Sequence, residues 1–292
     1  LSIFKRDSLI YFLNFITSII ISRRLGLAAL GIWSILQMIS SYSECFGRTR
    51  IEIASIYFIG KKRFKEEDVL ASINFVLFIS TILIYIIGFT NFDYIYNILF
   101  KQVELNQSRE MSLVILSIPF SFLYTSYSYF FIALEDIFNY NKIVIIYTLI
   151  LSSSSIFLLG FTNLGLLGII LPYMFSPLIA SIFAILSLPK GIIKNGIHQY
   201  KITYSLLKYG LQFYLTSIFA EFQGSGTRLI TAYLLNPANV AFIAQGQKIV
   251  QLQEKLVSPL QTTLLPRISR SQKIHALNIT LKAFRISTII LF

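Results

Sequence analysis

Three long stretches of this chain carry no charged side chain at all: Val69–Phe92, Met111–Leu134 and Ile143–Pro189. About 20 apolar residues in a helix cross the hydrocarbon core of a bilayer. The third stretch therefore holds two crossings, with Thr162-Asn163-Leu164-Gly165 as the turn between them. A mean hydropathy of +0.70 agrees with this reading. Period-two alternation is absent, so the spans read as helices rather than barrel strands. The fold class expected is all-α, a polytopic membrane helix bundle. The first apolar run has no small-residue cleavage site, so it is read as a span and not as a removable signal.

The spans read as approximately 8–23, 29–51, 69–91, 111–133, 142–161, 164–188, 205–235 and 238–258, with another starting near 283. The chain starts at Leu1 without methionine and stops at Phe292 inside an apolar run, which leads to the expectation of a fragment whose second half is incomplete. The expected organisation is a six-helix lobe over 1–188, a linker over 189–204 carrying Pro189, Gly191, Gly196 and three lysines, and the start of a second lobe over 205–292. A weak internal repeat supports two lobes. Phe12, Ile20, Leu25, Ala28, Gln37, Ile39 and Glu44 recur at one fixed offset as Phe222, Ile230, Leu235, Ala238, Gln247, Ile249 and Glu254. Two of these matches put polar residues at equivalent depths of apolar stretches, as two-lobed transporters do.

A net charge of +12 invites a nucleic-acid reading, but the bases sit in short clusters between spans. That is the pattern of cytoplasmic loops. With the N-terminus inside, the inner segments hold Lys5, Arg6, Lys61, Lys62, Arg63, Lys65, Lys190, Lys194, Lys201, Lys208, Arg267, Arg270 and Lys273. The outer ones hold Arg23, Arg24, Lys101 and Arg109, beside Asp93, Glu104 and Glu110. The expected setting is a cytoplasmic membrane with the N-terminus in the cytoplasm and no nucleic-acid partner. The basic loop over 61–65 also suits anionic lipid.

Charges inside the spans are expensive and so draw attention. Gln37, Ser41, Glu44 and Arg48 share one helical face, which Glu52 extends; Glu44 with Arg48 and Arg48 with Glu52 have ion-pair spacing. Gln247, Gln251, Glu254 and Ser258 repeat the layout with Lys248 and Lys255, and the seventh span carries Glu221 and Arg228 around Gly224-Ser225-Gly226. The functional expectation is a polar cavity between lobes. Arg48, Arg50, Arg228, Lys248, Gln37 and Gln247 would face an anionic substrate there, and Glu44, Glu221 and Glu254 would couple ions. Cys45, the one cysteine, reads as a packing residue. His198 and His275 lie in basic connections without a ligand cluster, so neither a metal nor a cofactor is expected. No zinc-binding helix, phosphate-binding loop, nucleophile elbow or dinucleotide loop is present, which argues against an enzyme.

The residues also carry a resemblance. Arg24-Leu25-Gly26 and Gly31-Ile32-Trp33 resemble the junction of helices one and two in Wzx-like O-antigen and polysaccharide flippases. These belong to the multidrug/oligosaccharidyl-lipid/polysaccharide (MOP) exporter superfamily, with its two-lobed MOP/MATE-like architecture. Leu206-Leu207-Lys208-Tyr209-Gly210-Leu211 resembles the opening of their seventh helix. Thr227-Arg228-Leu229-Ile230 and Leu235-Asn236-Pro237-Ala238-Asn239-Val240-Ala241-Phe242 resemble the hairpin into the eighth. Gln247-Lys248-Ile249 and Leu265-Pro266-Arg267-Ile268-Ser269 follow. The resemblance implies translocation of an undecaprenyl-diphosphate-linked oligosaccharide by alternating access across a bacterial inner membrane, beside polymerase and other assembly proteins. The chain departs from the family at Thr227, where relatives are acidic, and at Val240-Ala241-Phe242, where they have Gly-Ile-Tyr. A drug/cation antiporter and a membrane enzyme of polysaccharide assembly are the alternatives.

Overall fold

The computed structural model describes residues 2–248, apart from 102 and 104–106, together with residue 280. Among these residues the backbone is helical throughout its ordered elements, with no strand. The helices are α1 (Ser2–Arg48), α2 (Ile51–Gly60), α3 (Glu66–Thr90), α4 (Phe92–Leu99), α5 (Ser108–Ala133), α6 (Ile137–Phe161), α7 (Leu167–Ser187), α8 (Ile192–Asn195) and α9 (Tyr200–Leu234). A further helix begins at 237 and runs through 248; it is called α10 below. Among the described residues five helices are long and apolar enough to cross a membrane, so the protein is an all-α, multi-pass helix bundle.

α1 is two arms joined at Gly26, whose φ of 75° and ψ of 172° no other residue type adopts without strain. The arms run in opposite directions. Arg6 in the first donates to Asn141 at the start of α6, whereas Ser40 in the second accepts from Tyr173 near the middle of α7. Arg23 and Arg24 are exposed beside this turn. α7 packs along both α5 and α6, and α1 lies on α5 and α6. Their shared core is built from Trp33, Ile35, Leu36, Met38, Phe122, Phe130 and Phe131. Small hydroxyl residues, among them Ser117, Ser126, Ser152, Ser155 and Ser176, are buried between helices, where they let backbones approach closely. The outward faces are the reverse of a soluble surface: Phe78, Ile86, Phe157 and Phe219 are well exposed and Phe161 is 80% exposed. In a bilayer these side chains face lipid.

The expected spans over 69–91, 111–133, 142–161 and 164–188 coincide with α3, α5, α6 and α7, the first two start within α1, and the seventh falls on α9, which is not among the five apolar helices. The second span, read over 29–51, does not end there. Its helix stops at Arg48, turns through Thr49 (φ 49°) and Arg50 (φ 57°), and resumes as α2 to Gly60. Two consecutive left-handed residues without glycine cost about 1–2 kcal/mol each. α9 approaches this break so closely that a methyl on Gly210 would lie 2.6 Å from the Thr49 carbonyl oxygen. Gly224 and Gly226 lie inside the uninterrupted α9.

Candidate functional site

The break in the second span lies at the middle of the bundle. Glu44 accepts from the Ser121 hydroxyl halfway along α5, and Arg50 donates from Nε to Ser217 halfway along α9. Irregular backbone at this depth is tolerated only where it is buried in protein or lines a cavity. Here it does both. A cavity of about 110 Å³ is walled by Ser41, Glu44, Cys45, Arg48, Arg50 and Glu52 of the second span with Glu221 of α9.

The charges in this wall form an ordered ladder. Arg48 donates from Nη2 to Glu44 Oε2 at 3.1 Å and from Nη1 to Glu52 Oε1 at 3.0 Å. The spacing that predicted these two pairs works because i, i+4 and i+8 lie on one helical face, and the ladder survives the turn at 49–50. Arg50 Nη1 is 3.9 Å from Glu52 Oε1, so one carboxylate faces two guanidiniums. Glu52 is 1% exposed, and its Oε2 has no hydrogen-bond partner among the described residues. Arg48 Nε and Thr49 Oγ1 are likewise buried without a hydrogen-bond partner among the described residues.

A second cluster sits on α9. Ser225 donates to Glu221 Oε1 at 2.6 Å and accepts from Arg228 Nη2 at 2.7 Å. The serine thus relays between two charges that do not meet directly. Tyr42 of the second span packs on Phe222, with ring centroids 5.5 Å apart, and holds the two clusters side by side.

The structure therefore brings together Glu44, Arg48, Arg50 and Glu221 and sets Arg228 one hydrogen-bonded serine away. Three other candidates are elsewhere. Gln37 is half-buried and not part of the cavity wall. Lys248 reaches the Ser18 hydroxyl of the first arm at 3.4 Å. Gln247, in α10, buries an Oε1 that has no hydrogen-bond partner among the described residues. Glu254 lies outside the described residues. Cys45, read as packing, is part of the cavity wall.

Sequence reasoning missed two things. Nothing at Thr49-Arg50 signals a turn, because neither glycine nor proline is there. The available signal was length: the apolar stretch runs on to Gly60, well past one crossing from Gly26. Arg6 was counted among the inner loop charges, but it is 6% exposed within the bundle. It pairs with Asp7 at 2.6 Å, donates to Asn141 at 2.8 Å and sits 4.8 Å over the Tyr140 ring. Among the described residues no three His, Cys, Asp or Glu side chains gather as a metal site would require.

No family model, curated protein or solved structure matches the chain.

Proposed function

We propose that the protein moves a lipid-linked oligosaccharide, carried on undecaprenyl diphosphate, across the bacterial inner membrane with its N-terminus in the cytoplasm. The observation that carries this reading is the broken second helix, with Arg48 and Arg50 on a cavity wall at mid-depth. A diphosphate cannot enter hydrocarbon unpaired, and a guanidinium meets a phosphate through two parallel hydrogen bonds. Discontinuous helices at the bilayer midplane are where transporters bind charged cargo. Two lobes rocking about this site would shield the diphosphate and sugars while the prenyl chain stays in lipid. No step of bond making or breaking is assigned to the protein; polymerase and other assembly proteins would act on what it delivers. The resemblance to Wzx-like flippases points the same way.

A second reading, a drug or cation antiporter of the same architecture, draws on one observation: Glu44, Glu52 and Glu221 share the wall with the arginines. The two readings part on a single substitution. Arg50→Ala leaves the better-buried Arg48 ladder in place, so folding is retained. The flippase reading expects at least a tenfold loss of lipid-linked oligosaccharide flipping in proteoliposomes, and loss of polysaccharide export in cells. Undiminished flipping by Arg50→Ala would remove the cavity from the mechanism. Efflux of organic cations that survives Arg50→Ala but not Glu221→Gln would favour the antiporter.

A further inference from the structure

Glu52 has no role in the reading above, yet it is the most deeply buried acid of the site. Resting on that reading, we propose that Glu52 is an internal counter-anion. An anionic substrate group engages Arg48 and Arg50 only by displacing the Glu52 and Glu44 carboxylates, and the displaced Glu52 takes up one proton.

The geometry sets up the competition. Both Nη groups of Arg48 are already used, one by each carboxylate, and its Nε faces no partner among the described residues. A phosphate grips a guanidinium through two N–H groups on one edge, and each such edge of Arg48 includes an Nη that already donates to a carboxylate, so the anion competes with a carboxylate for it. Glu44 has a substitute partner when Arg48 leaves, because the Ser121 hydroxyl donates to its other oxygen. Glu52 has no such bond in place: among the described residues nothing donates to its Oε2, and its remaining charged neighbour, Arg50, is the second group the anion would recruit. A carboxylate left unpaired in a dry interior is neutralised by a proton rather than kept ionised. The other groups facing the site do not replace the lost charge. α9 offers Glu221 and the Ser217 hydroxyl, with Arg228 committed to Glu221 through Ser225; α5 offers Ser121 and, within electrostatic reach of Glu52, Tyr129; from α3, Ile84 packs against Gly47. The cavity of about 110 Å³ has room for the water that delivers the proton. The step is a protonation alone: carboxylate plus proton gives carboxylic acid, and no other bond changes.

Linkage then requires that anion binding and proton binding help each other. The test is isothermal titration of the detergent-solubilised chain with farnesyl diphosphate, farnesol serving as the uncharged control. Running it at about pH 8.5, where the phosphate groups are already ionised, in two buffers of different ionisation enthalpy counts the protons taken up. We expect about one proton per bound diphosphate, and an affinity that falls by up to about tenfold per unit rise in pH. Glu52→Gln should bind at least threefold tighter and take up no proton. Glu44→Gln should keep the proton, and it leaves the result readable if Glu52→Gln does not accumulate. Binding that weakens in Arg50→Ala, yet takes up no proton in the unaltered chain and is unchanged in Glu52→Gln, would overturn this inference and leave the anion site standing. A diphosphate bound no better than farnesol would overturn both.

Discussion

The two charged clusters use similar residues and behave differently. On the second span, Glu44, Arg48 and Glu52 are spaced four apart and meet directly, so the arginine is saturated at both ends. On α9, Glu221 and Arg228 are seven apart, and Ser225 stands between them as a relay. Direct pairing at mid-depth makes Arg48 a structural keystone whose removal leaves buried carboxylates behind. A relay through a hydroxyl is a weaker link than a direct ion pair and costs less to open. The first cluster lines the cavity directly; in the second, Glu221 reaches the wall and Arg228 stands one serine behind it.

The largest expected effect tests the first half of that contrast. Arg48→Ala should destabilise the bundle by about 3–5 kcal/mol, because it strands Glu44 and Glu52 in the interior. Thermal unfolding in detergent would show it, and Glu52→Gln in the same chain should recover part of the loss. A near-normal melting temperature for Arg48→Ala would make the two clusters alike. Next comes the seam between them. Gly210→Ala puts a methyl 2.6 Å from the Thr49 carbonyl oxygen and 3.1 Å from that of Arg50. A backbone contact cannot rotate away, so about 1–3 kcal/mol of stability should go, and transport with it.

The α9 cluster should respond the other way round. Arg228→Ala should keep its expression level and lose transport, with Arg228→Lys intermediate, because an ammonium lacks the two-pronged geometry. Ser225→Ala should cost about 1 kcal/mol, the worth of an ordinary hydrogen bond. If Arg228→Ala instead fails to accumulate and Glu221→Ala restores it, the α9 pair is structural too. The smallest effect concerns the break itself. Thr49→Gly relieves a left-handed threonine and removes a buried, unpartnered hydroxyl, so the melting temperature should rise, by up to about 1 kcal/mol in free energy. A fall would mean the threonine side chain holds the turn.

How much of this was legible beforehand follows from what each feature depends on. The helical membrane bundle depends on uncharged length, which Val69–Phe92 and its counterparts state outright. The Glu44–Arg48–Glu52 ladder depends on helical periodicity, which survives into three dimensions. The turn at Thr49-Arg50 was hidden because tertiary contacts impose it: the close approach of Gly210 and the bond from Arg50 to Ser217 come from a helix far along the chain. Arg6 was misjudged for the same reason, since its partners Asn141 and Tyr140 belong to α6. Glu221 and Arg228 were legible as charges on one span, but their serine relay depends on side-chain rotamers that spacing does not determine.

The central claim is that the cavity at the broken helix receives the substrate headgroup, and Cys45 offers a direct view of it. This cysteine is a free thiol on the cavity wall beside Glu44 and Arg48. In proteoliposomes a small charged methanethiosulfonate reagent should modify Cys45 in the unaltered chain and not in Cys45→Ser. Added lipid-linked oligosaccharide diphosphate should slow that modification at least fivefold, whereas the dephosphorylated prenol should not. A Cys45 that reacts at the same rate with and without the diphosphate would contradict the account.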